Sequence, residues 1–556
     1  MSLEPVCEYV DTAGSTLQVA IRLLGVDAPA GTMFWLRLRS RFGGIVTESS
    51  TEVSWRVNAV GVWSRSLLRF DIAADELPTG SFRFHLVAAA DPTESARVRP
   101  SAGLLSTSRP MTVGGRRMQF FPSAGAPALW LRVAQCTGPA RAVWALRNAA
   151  RDAAFALHAR RFSWVRAARL LTRPLVPRSP IWLIGERPET ARDNGRALFV
   201  HLRQTRPEAQ VYYVISADSP MRTAVEPFGQ VITHSSWRHR LFMLHADVLA
   251  NAYSIKHMLP SQWHPGAYMW QASWRIGARR VYLKHGVHLS PFAVKRANGG
   301  YDLIATVGPS EAAALSQTSG YRTQLTQTGL PRYDTLLSGA RDLSPPGPDT
   351  TVGRTVLFMP TWRRYLVPAL FGGAEGATVP FVGSTYDTFL TDLLGSARLA
   401  ATLESRDLRM VMVPHYNLGP VLNVSDRGSD RIDIVDSATA DIPHLLRSCA
   451  LLLTDYSSVQ FDVAYVGAPV VYCQFDREEF TGGHGAFSWF TAEEDGFGPV
   501  TTGVQDTVEA IDRYAESGFV REPQYQARVD AVFAHRDQLN CERLVAAIDA
   551  LSDRGR

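Results

Sequence analysis

The chain has 556 residues, 46% of them hydrophobic and 20% charged, with a formal net charge of +6. That length exceeds what one hydrophobic core supports, so about three domains are expected. The ordinary balance of apolar and charged residues fits a globular protein, and no run of about 18 apolar residues is present to span a bilayer.

The N-terminus has no basic stretch followed by an apolar run, so no signal peptide is expected. Five cysteines (Cys7, Cys136, Cys449, Cys473, Cys541) are scattered without metal-ligand spacing. Cys449 and Cys473 lie in apolar runs and read as reduced core residues. A cytosolic protein with no cofactor and no metal is the expectation.

Residues 1–114 carry short alternating runs, beginning at Leu17, Phe34 and Phe82, separated by Gly, Pro and Asp. Their even spacing predicts a small antiparallel β-sandwich, an accessory domain without a catalytic constellation. Residues 115–179 follow as a basic helical linker. Between Arg141 and Arg178 nine arginines face a single acid, Asp152, with aromatic and aliphatic residues interleaved. That composition suits an amphipathic helix on an anionic membrane surface, with Arg147, Arg151, Arg160, Arg161, Trp164 and Arg166 as contacts. Nucleic acid attracts such a stretch too, and a solvated linker is the plain reading.

From Ile181 the pattern changes to strands alternating with helices. Apolar runs start at Ile181, Val211, Ala246, Val281 and Leu303, predicting a doubly wound α/β domain over 180–343. A Pro/Gly-rich break at Ser344 follows. The alternation then restarts at Val356, Leu408, Ile432, Leu451 and Val470, predicting a second such domain over 344–556. Two domains of this kind enclose a cleft at the carboxyl ends of their strands, so residues just after the strands are the place to look for chemistry.

Four strand exits stand out. His285 and Gly286 follow the run from Val281. Imidazole titrates near neutrality and suits a general base, and glycine lets backbone approach a phosphate. His415 ends the matching run of the second domain and can donate to a phosphate oxygen. Thr361, Trp362, Arg363 and Arg364 offer a hydroxyl, an indole face and two guanidinia. The segment Thr454 to Asp462 runs from a leucine-rich strand through Asp455 and Tyr456 into Ser457 and Ser458 at a helix start, where unpaired N–H groups make a phosphate cradle. Asp462, a turn on, is placed to accept from ligand hydroxyls, or to sit as an ordinary first-turn acid. Together these residues describe a site for a nucleoside diphosphate and a hydroxyl acceptor. No carboxylate cluster suggests a divalent metal, so helix dipole, His and Arg take that role.

The set resembles the CDP-glycerol glycerophosphotransferase family of teichoic-acid and capsule-polymer enzymes, from about Ile181 to Tyr472. The carriers are Gly185-Glu186-Arg187 with Asp193-Asn194-Gly195, His285-Gly286, Gly329-Leu-Pro331-Arg332-Tyr-Asp334, Pro360-Thr361-Trp362-Arg363, and Thr454-Asp455-Tyr456-Ser457-Ser458 with Asp462. The resemblance implies a two-domain GT-B fold and transfer of a polyol phosphate, glycerol phosphate foremost, from a CDP-polyol to a polymer hydroxyl, with CMP leaving. It implies His285 as general base and His415 as a pyrophosphate ligand. Gly286, Arg332, Thr361, Arg363, Asp455, Ser457, Ser458 and Asp462 fall to the donor side. It further implies a lipid-linked or capsular acceptor, no nucleic acid, and a peripheral position on the inner face of the cell membrane. Two departures stand out: Val287-His288-Leu289-Ser290 follows His285-Gly286 where the family has Thr-Pro, and Pro414-His415 inverts the usual order. A GT-B glycosyltransferase using a nucleotide sugar is the alternative. A binding module with a vestigial cleft is a third reading.

Overall fold

The computed structural model describes residues 3–553 apart from 25–27, 30, 54–56, 59–60, 63–66, 126–127, 159–160, 291–293, 339–352, 364–365, 367–380, 416–429, 438 and 485–488. Arg160, Arg364 and the break at Ser344 therefore lie outside the described residues.

The N-terminal unit is built from two large sheets beside a short pair, Val57–Asn58 with Gly61–Val62. One orders Arg99–Pro100, Glu4–Ala13, Thr16–Leu24 and Leu67–Ala73. The other runs Met111–Val113, Arg116–Pro122, Leu129–Gln135, Gly80–Ala88, Met33–Ser40 and Ile45–Glu52, with Asp91–Arg97 paired to Gly80–Ala88. Alternation puts Leu17, Val19, Ile21, Leu36, Leu38, Phe84 and Leu131 into one shared core. The expected boundary at 114 is corrected here. Met118, Phe120, Leu129, Leu131 and Val133 are core residues of this unit, so the two strands that carry them cannot belong to a helical linker. Within 115–179, helix begins at Gly138–Leu157 and continues in Val165–Thr172. Arg296–Asp11 and Arg109–Asp302 ion pairs fasten this unit to the α/β body.

Two all-parallel sheets follow. The first orders Val231–Thr233, Gln210–Ile215, Ile181–Gly185, Val248–Asn251, Arg279–Tyr282, Leu303–Ala305 and Leu325–Thr326. The second orders Ile432–Ile434, Arg409–Met412, Thr355–Met359, Cys449–Thr454, Val470–Cys473 and Val500–Thr501. Ile181–Gly185 and Cys449–Thr454 are buried at every position, as strands covered on both faces must be. In both sheets the first strand lies between the second and the fourth. The chain therefore reverses direction across the sheet beside the first strand, and a crevice opens at the carboxyl ends there.

The expected second domain of 344–556 is also corrected. Asp334, in the first α/β domain, accepts from the Asn540 and Cys541 amides at 2.9 and 2.7 Å, capping Asn540–Asp553. Gly329, at φ 74°, makes room for that cap, since a Cβ there would meet Asn540 Oδ1 at 1.8 Å. Ala534 N donates to Val307 O at 2.9 Å. The final helix thus crosses back onto the first domain, because the unsatisfied N–H groups of its first turn find their carboxylate there.

Candidate active site

The strand Arg279–Tyr282 leads into Lys284, whose φ is 61°. A lysine in the left-handed region costs about 1–2 kcal/mol, and two contacts hold it there. Lys284 Nζ pairs with Glu311, both side chains wholly buried. The same carboxylate accepts from the His288 and Val307 amides at 3.0 and 2.9 Å. Asn194 Nδ2 donates to the Lys284 carbonyl at 2.8 Å.

The turn delivers His285 to the cleft mouth with an exposed edge. Its ring stacks on Tyr253, just past the neighbouring strand Val248–Asn251, with centroids 4.9 Å apart, and meets His288 edge-on at 5.9 Å. Protein closing around the rest of the ring lowers its pKa from 6.5. Asp193 opposes that shift, and the cations of Arg332, Arg187 and Lys284 reinforce it. His285 is therefore a neutral imidazole at neutral pH, able to take a proton.

Directly across from it lies the start of Val459–Val466. A Cβ on Gly286 would come 2.7 Å from Ser458 Oγ, so this glycine lets the two domains approach here without displacing that hydroxyl. No described residue bonds the Ser458 hydroxyl, and Ser458 makes no side-chain cap. Ser457 Oγ accepts weakly from Val459 N at 3.3 Å. Gly286→Ala is expected to push Ser458 aside and lower kcat while leaving the melting temperature nearly unchanged. Combining it with Ser458→Gly should restore the fit, though not the hydroxyl. Steady-state kinetics and a thermal melt check this, and an unaltered kcat in Gly286→Ala would contradict the close approach.

Strands Arg409–Met412, Thr355–Met359 and Cys449–Thr454 are neighbours, so their exits bring His415, Thr361 and Ser457–Ser458 to one end of the second sheet. The His415 ring lies 6.0 Å from Trp362. Thr361 Oγ1 is buried with no partner among the described residues. A buried hydroxyl left so is costly unless something else bonds it.

Four expected donor residues, Arg332, Arg363, Asp455 and Asp462, are engaged elsewhere. Arg363, wholly buried, gives Nε and Nη2 to Asp476 at 2.6 and 2.9 Å, and Nη1 to Asp455 at 2.9 Å and the Thr361 carbonyl at 2.7 Å. Asp455 in turn accepts from the Thr361 and Tyr456 amides at 2.9 and 2.6 Å. The pair shapes the loops that carry Thr361 and Ser457, and Arg363 reaches no open space for a phosphate. Asp462 is likewise corrected. Both its oxygens take Arg332, from Nε at 2.6 Å and Nη2 at 2.8 Å. Arg332 Nη1 also reaches Asp193 at 2.6 Å and the His285 carbonyl at 2.8 Å. Buried charges must be paired, and here the pairing itself spans the two domains beneath the site.

The helical segment is sorted in the same way. Arg147, Arg161 and Trp164 are exposed. Arg151 is buried, its guanidinium 3.4 Å over the Phe121 ring, and Arg166 grips Asp152 with two contacts of 2.9 Å and lies 4.9 Å over Trp274. These two expected surface contacts are therefore packing residues, because the aromatic side chains interleaved with them turn one helix face inward.

Residues missed from sequence include Tyr253, Lys284, Glu311 and Asp476. Tyr253 follows a strand exit like the others, which was the available signal. Glu311 looked like any first-turn acid. Glu186, noted only as part of a motif, accepts from the Arg192, Asp193 and Arg196 amides at 3.1, 2.8 and 3.0 Å and so fixes the loop before Asn194–Thr205.

Two doubly wound domains thus bring a histidine opposite a hydroxyl-bearing helix start at one cleft. The chain belongs to the CDP-Glycerol:Poly(glycerophosphate) glycerophosphotransferase family, which its residues 166–550 match. Among curated relatives it is 24% identical over 377 residues to the minor teichoic acid biosynthesis protein GgaB of Bacillus subtilis (strain 168), across 67% of this chain and 40% of GgaB. The chain thus spans about two fifths of that relative's length. Among solved structures it is similar to the wall teichoic acid polymerase TagF (TM-score 0.49, 16% identity, 73% of this chain, 98% of that one). It is also similar to a putative UDP-N-acetylglucosamine 2-epimerase from Listeria monocytogenes (TM-score 0.42, 16% identity, 68% and 98%).

Proposed function

We propose that this protein transfers a polyol phosphate, glycerol phosphate foremost, from a CDP-polyol to a hydroxyl of a teichoic-acid-like or capsular polymer. The two α/β domains and the returning C-terminal helix are read as a GT-B arrangement, with residues 3–135 as an accessory β-sandwich. The observation that carries the reading is the juxtaposition of neutral His285 with Ser458 at a helix N-terminus, where a Cβ on Gly286 would displace the Ser458 hydroxyl.

His285 takes the proton of the acceptor hydroxyl as its oxygen attacks the phosphorus bearing the polyol. The bond to the bridging oxygen breaks, and CMP departs with the electron pair. Charge gathering on the phosphates is met by the helix start, the Ser457 and Ser458 hydroxyls, Thr361 Oγ1 and His415. Arg332, Arg363, Asp455 and Asp462 position these groups. Incubation with CDP-glycerol or CDP-ribitol and a lipid-linked acceptor should release CMP, and silence with every CDP-polyol would sink the proposal.

The same reading places the enzyme on an anionic membrane surface, at the inner face of the cell membrane. Leu146, Leu157, Leu170, Leu171 and Leu175 are 67–87% exposed along the helical segment, beside exposed Arg147, Arg161, Arg173 and Arg178. Among the described residues no helix is long and apolar enough to cross a membrane. Burying a leucine stabilises by about 1.5–3 kcal/mol, so Leu170→Glu with Leu171→Glu should weaken sedimentation with phosphatidylglycerol vesicles more than about tenfold. Binding unchanged by that pair would remove the membrane contact from the account.

A further inference from the structure

At the junction of the N-terminal unit and helix Gly138–Leu157 there is a second concentration of positive charge, far along the chain from the cleft residues. Arg151, Arg166 and Arg275 gather around one carboxylate, and Arg132 and Arg147 lie beside them. Asp152 is already taken by Arg166 through two contacts of 2.9 Å and by Arg275 Nε at 2.9 Å. Arg151 is left with neither Nη bonded by any described residue, and Arg132, 5% exposed, with its Nε unbonded. Asn148 Oδ1 accepts from Arg132 Nη1 at 3.2 Å, and the rings of Trp144 and Phe121 lie within 5.2 and 5.5 Å of the Arg132 guanidinium. Ring faces attract a cation but cannot accept its in-plane N–H groups. Burial and the neighbouring Arg147 and Arg166 press the Arg132 pKa down to about 10. Burial and Arg132 press that of Arg151 down to about 8, with Asp152 the one carboxylate opposing. Among the described residues, Asp152 is the one carboxylate bonded within this cluster of five cations.

A cavity of ≈ 320 Å³ opens beside it, lined by Arg132, Arg147, Thr79, Gln135 and Trp144. None of its lining residues is acidic. The first turn of Gly138–Leu157 borders the same space at Ala140, and Thr137 supplies no side-chain cap to that turn. The guanidinia of Arg132 and Arg147, a hydroxyl and a carboxamide lining one hollow, with a helix start at its edge, are groups that a tetrahedral oxyanion takes.

We propose that this cavity is a phosphate-binding site, separate from the transfer cleft, that receives a phosphate group through Arg132, Arg147 and the start of Gly138–Leu157. The group is a phosphate monoester or diester, either free or on a lipid headgroup. The exposed leucines of the same helical segment lie next to it in sequence, so a headgroup would be held where the apolar side chains meet the bilayer. The site itself rests on the geometry around Arg132 and stands whether or not the cleft transfers a polyol phosphate.

Hydrogen exchange on the full chain, in phosphate against chloride at equal ionic strength, reads this segment locally. Phosphate should protect residues 137–147 in the wild type. Arg132→Gln and Arg147→Gln should each raise the phosphate concentration needed by about tenfold or more. Arg147 is exposed, so its variant keeps the test sound if Arg132→Gln fails to fold. Added protection from phosphatidylglycerol vesicles over phosphatidylcholine vesicles identifies a headgroup as the source, and protection by dissolved phosphate alone identifies a free phosphate. Equal protection in chloride and phosphate with no vesicle effect, or protection undiminished in Arg147→Gln, would overturn the proposal.

Discussion

Replacement of His285 by alanine is expected to cut transfer by about 100- to 10,000-fold, the range a positioned general base contributes. The fold should survive, because the imidazole stacks on Tyr253 at the cleft mouth and the turn that presents it is held by Lys284, Glu311 and Asn194 instead. Circular dichroism of the variant would establish that. The wild-type pH profile follows from the same environment. Burial holds the His285 pKa below 6.5, with Arg332, Arg187 and Lys284 adding to the effect. The unprotonated, active form therefore persists as pH falls through 6.5, and kcat/KM loses activity only on the acid side of that value. An acid limb centred above 6.5 would mean that a different group acts as base.

The second large effect is at Arg332. Its guanidinium holds Asp462 of one domain and Asp193 of the other, and supports the His285 carbonyl. Arg332→Ala leaves Asp462, only 3% exposed, without its counter-ion. Breaking a buried pair from one side typically costs about 3–5 kcal/mol, so denaturant unfolding should show a loss of that size. A positioning role makes a further, kinetic demand. Arg332 is one of the cations holding the His285 pKa down, while Asp193 pushes it up. Removing the arginine withdraws the first influence and frees the second, so the His285 pKa must rise. The acid limb of kcat/KM should move to higher pH, and kcat should fall. Arg332→Lys keeps the charge but not the two-pronged geometry, and should leave the limb nearer its wild-type position. A variant that loses stability with no movement of the limb would show Arg332 to be a structural tie alone.

Much of this was legible in the sequence because it depends on local pattern. The near-continuous apolar runs at Ile181 and Leu451 can be little else than buried parallel strands, and the residues after them fall at the cleft by topology alone. His285, Gly286, Thr361, His415 and Ser458 could be placed in that way. What the sequence did not separate was a charged residue that meets a ligand from one that meets another charged residue. Arg363 and Asp455, and Arg332 and Asp462, are 92 and 130 positions apart; the first pair forms only once the second sheet brings two strand exits together, and the second only once the two domains meet. Arg151 and Arg166 were misread for the same reason. A basic helix with interleaved aromatics looks alike whether its cations face lipid or lie on the Phe121 and Trp274 rings. The strands at Arg116 and Leu129 were hidden by the change of composition beside them, and the C-terminal helix by the distance of its partner Asp334.

The central claim is a statement about which bond breaks. Phosphorus-31 NMR of the reaction of CDP-glycerol with a lipid-linked acceptor follows each phosphorus directly. The account predicts that the pyrophosphate signals give way to one monoester, CMP, and one new phosphodiester on the acceptor, in equal amounts. Loss of a nucleoside diphosphate intact, as glycosyl transfer requires, or an unchanged pyrophosphate spectrum in the presence of folded enzyme and acceptor, would contradict it.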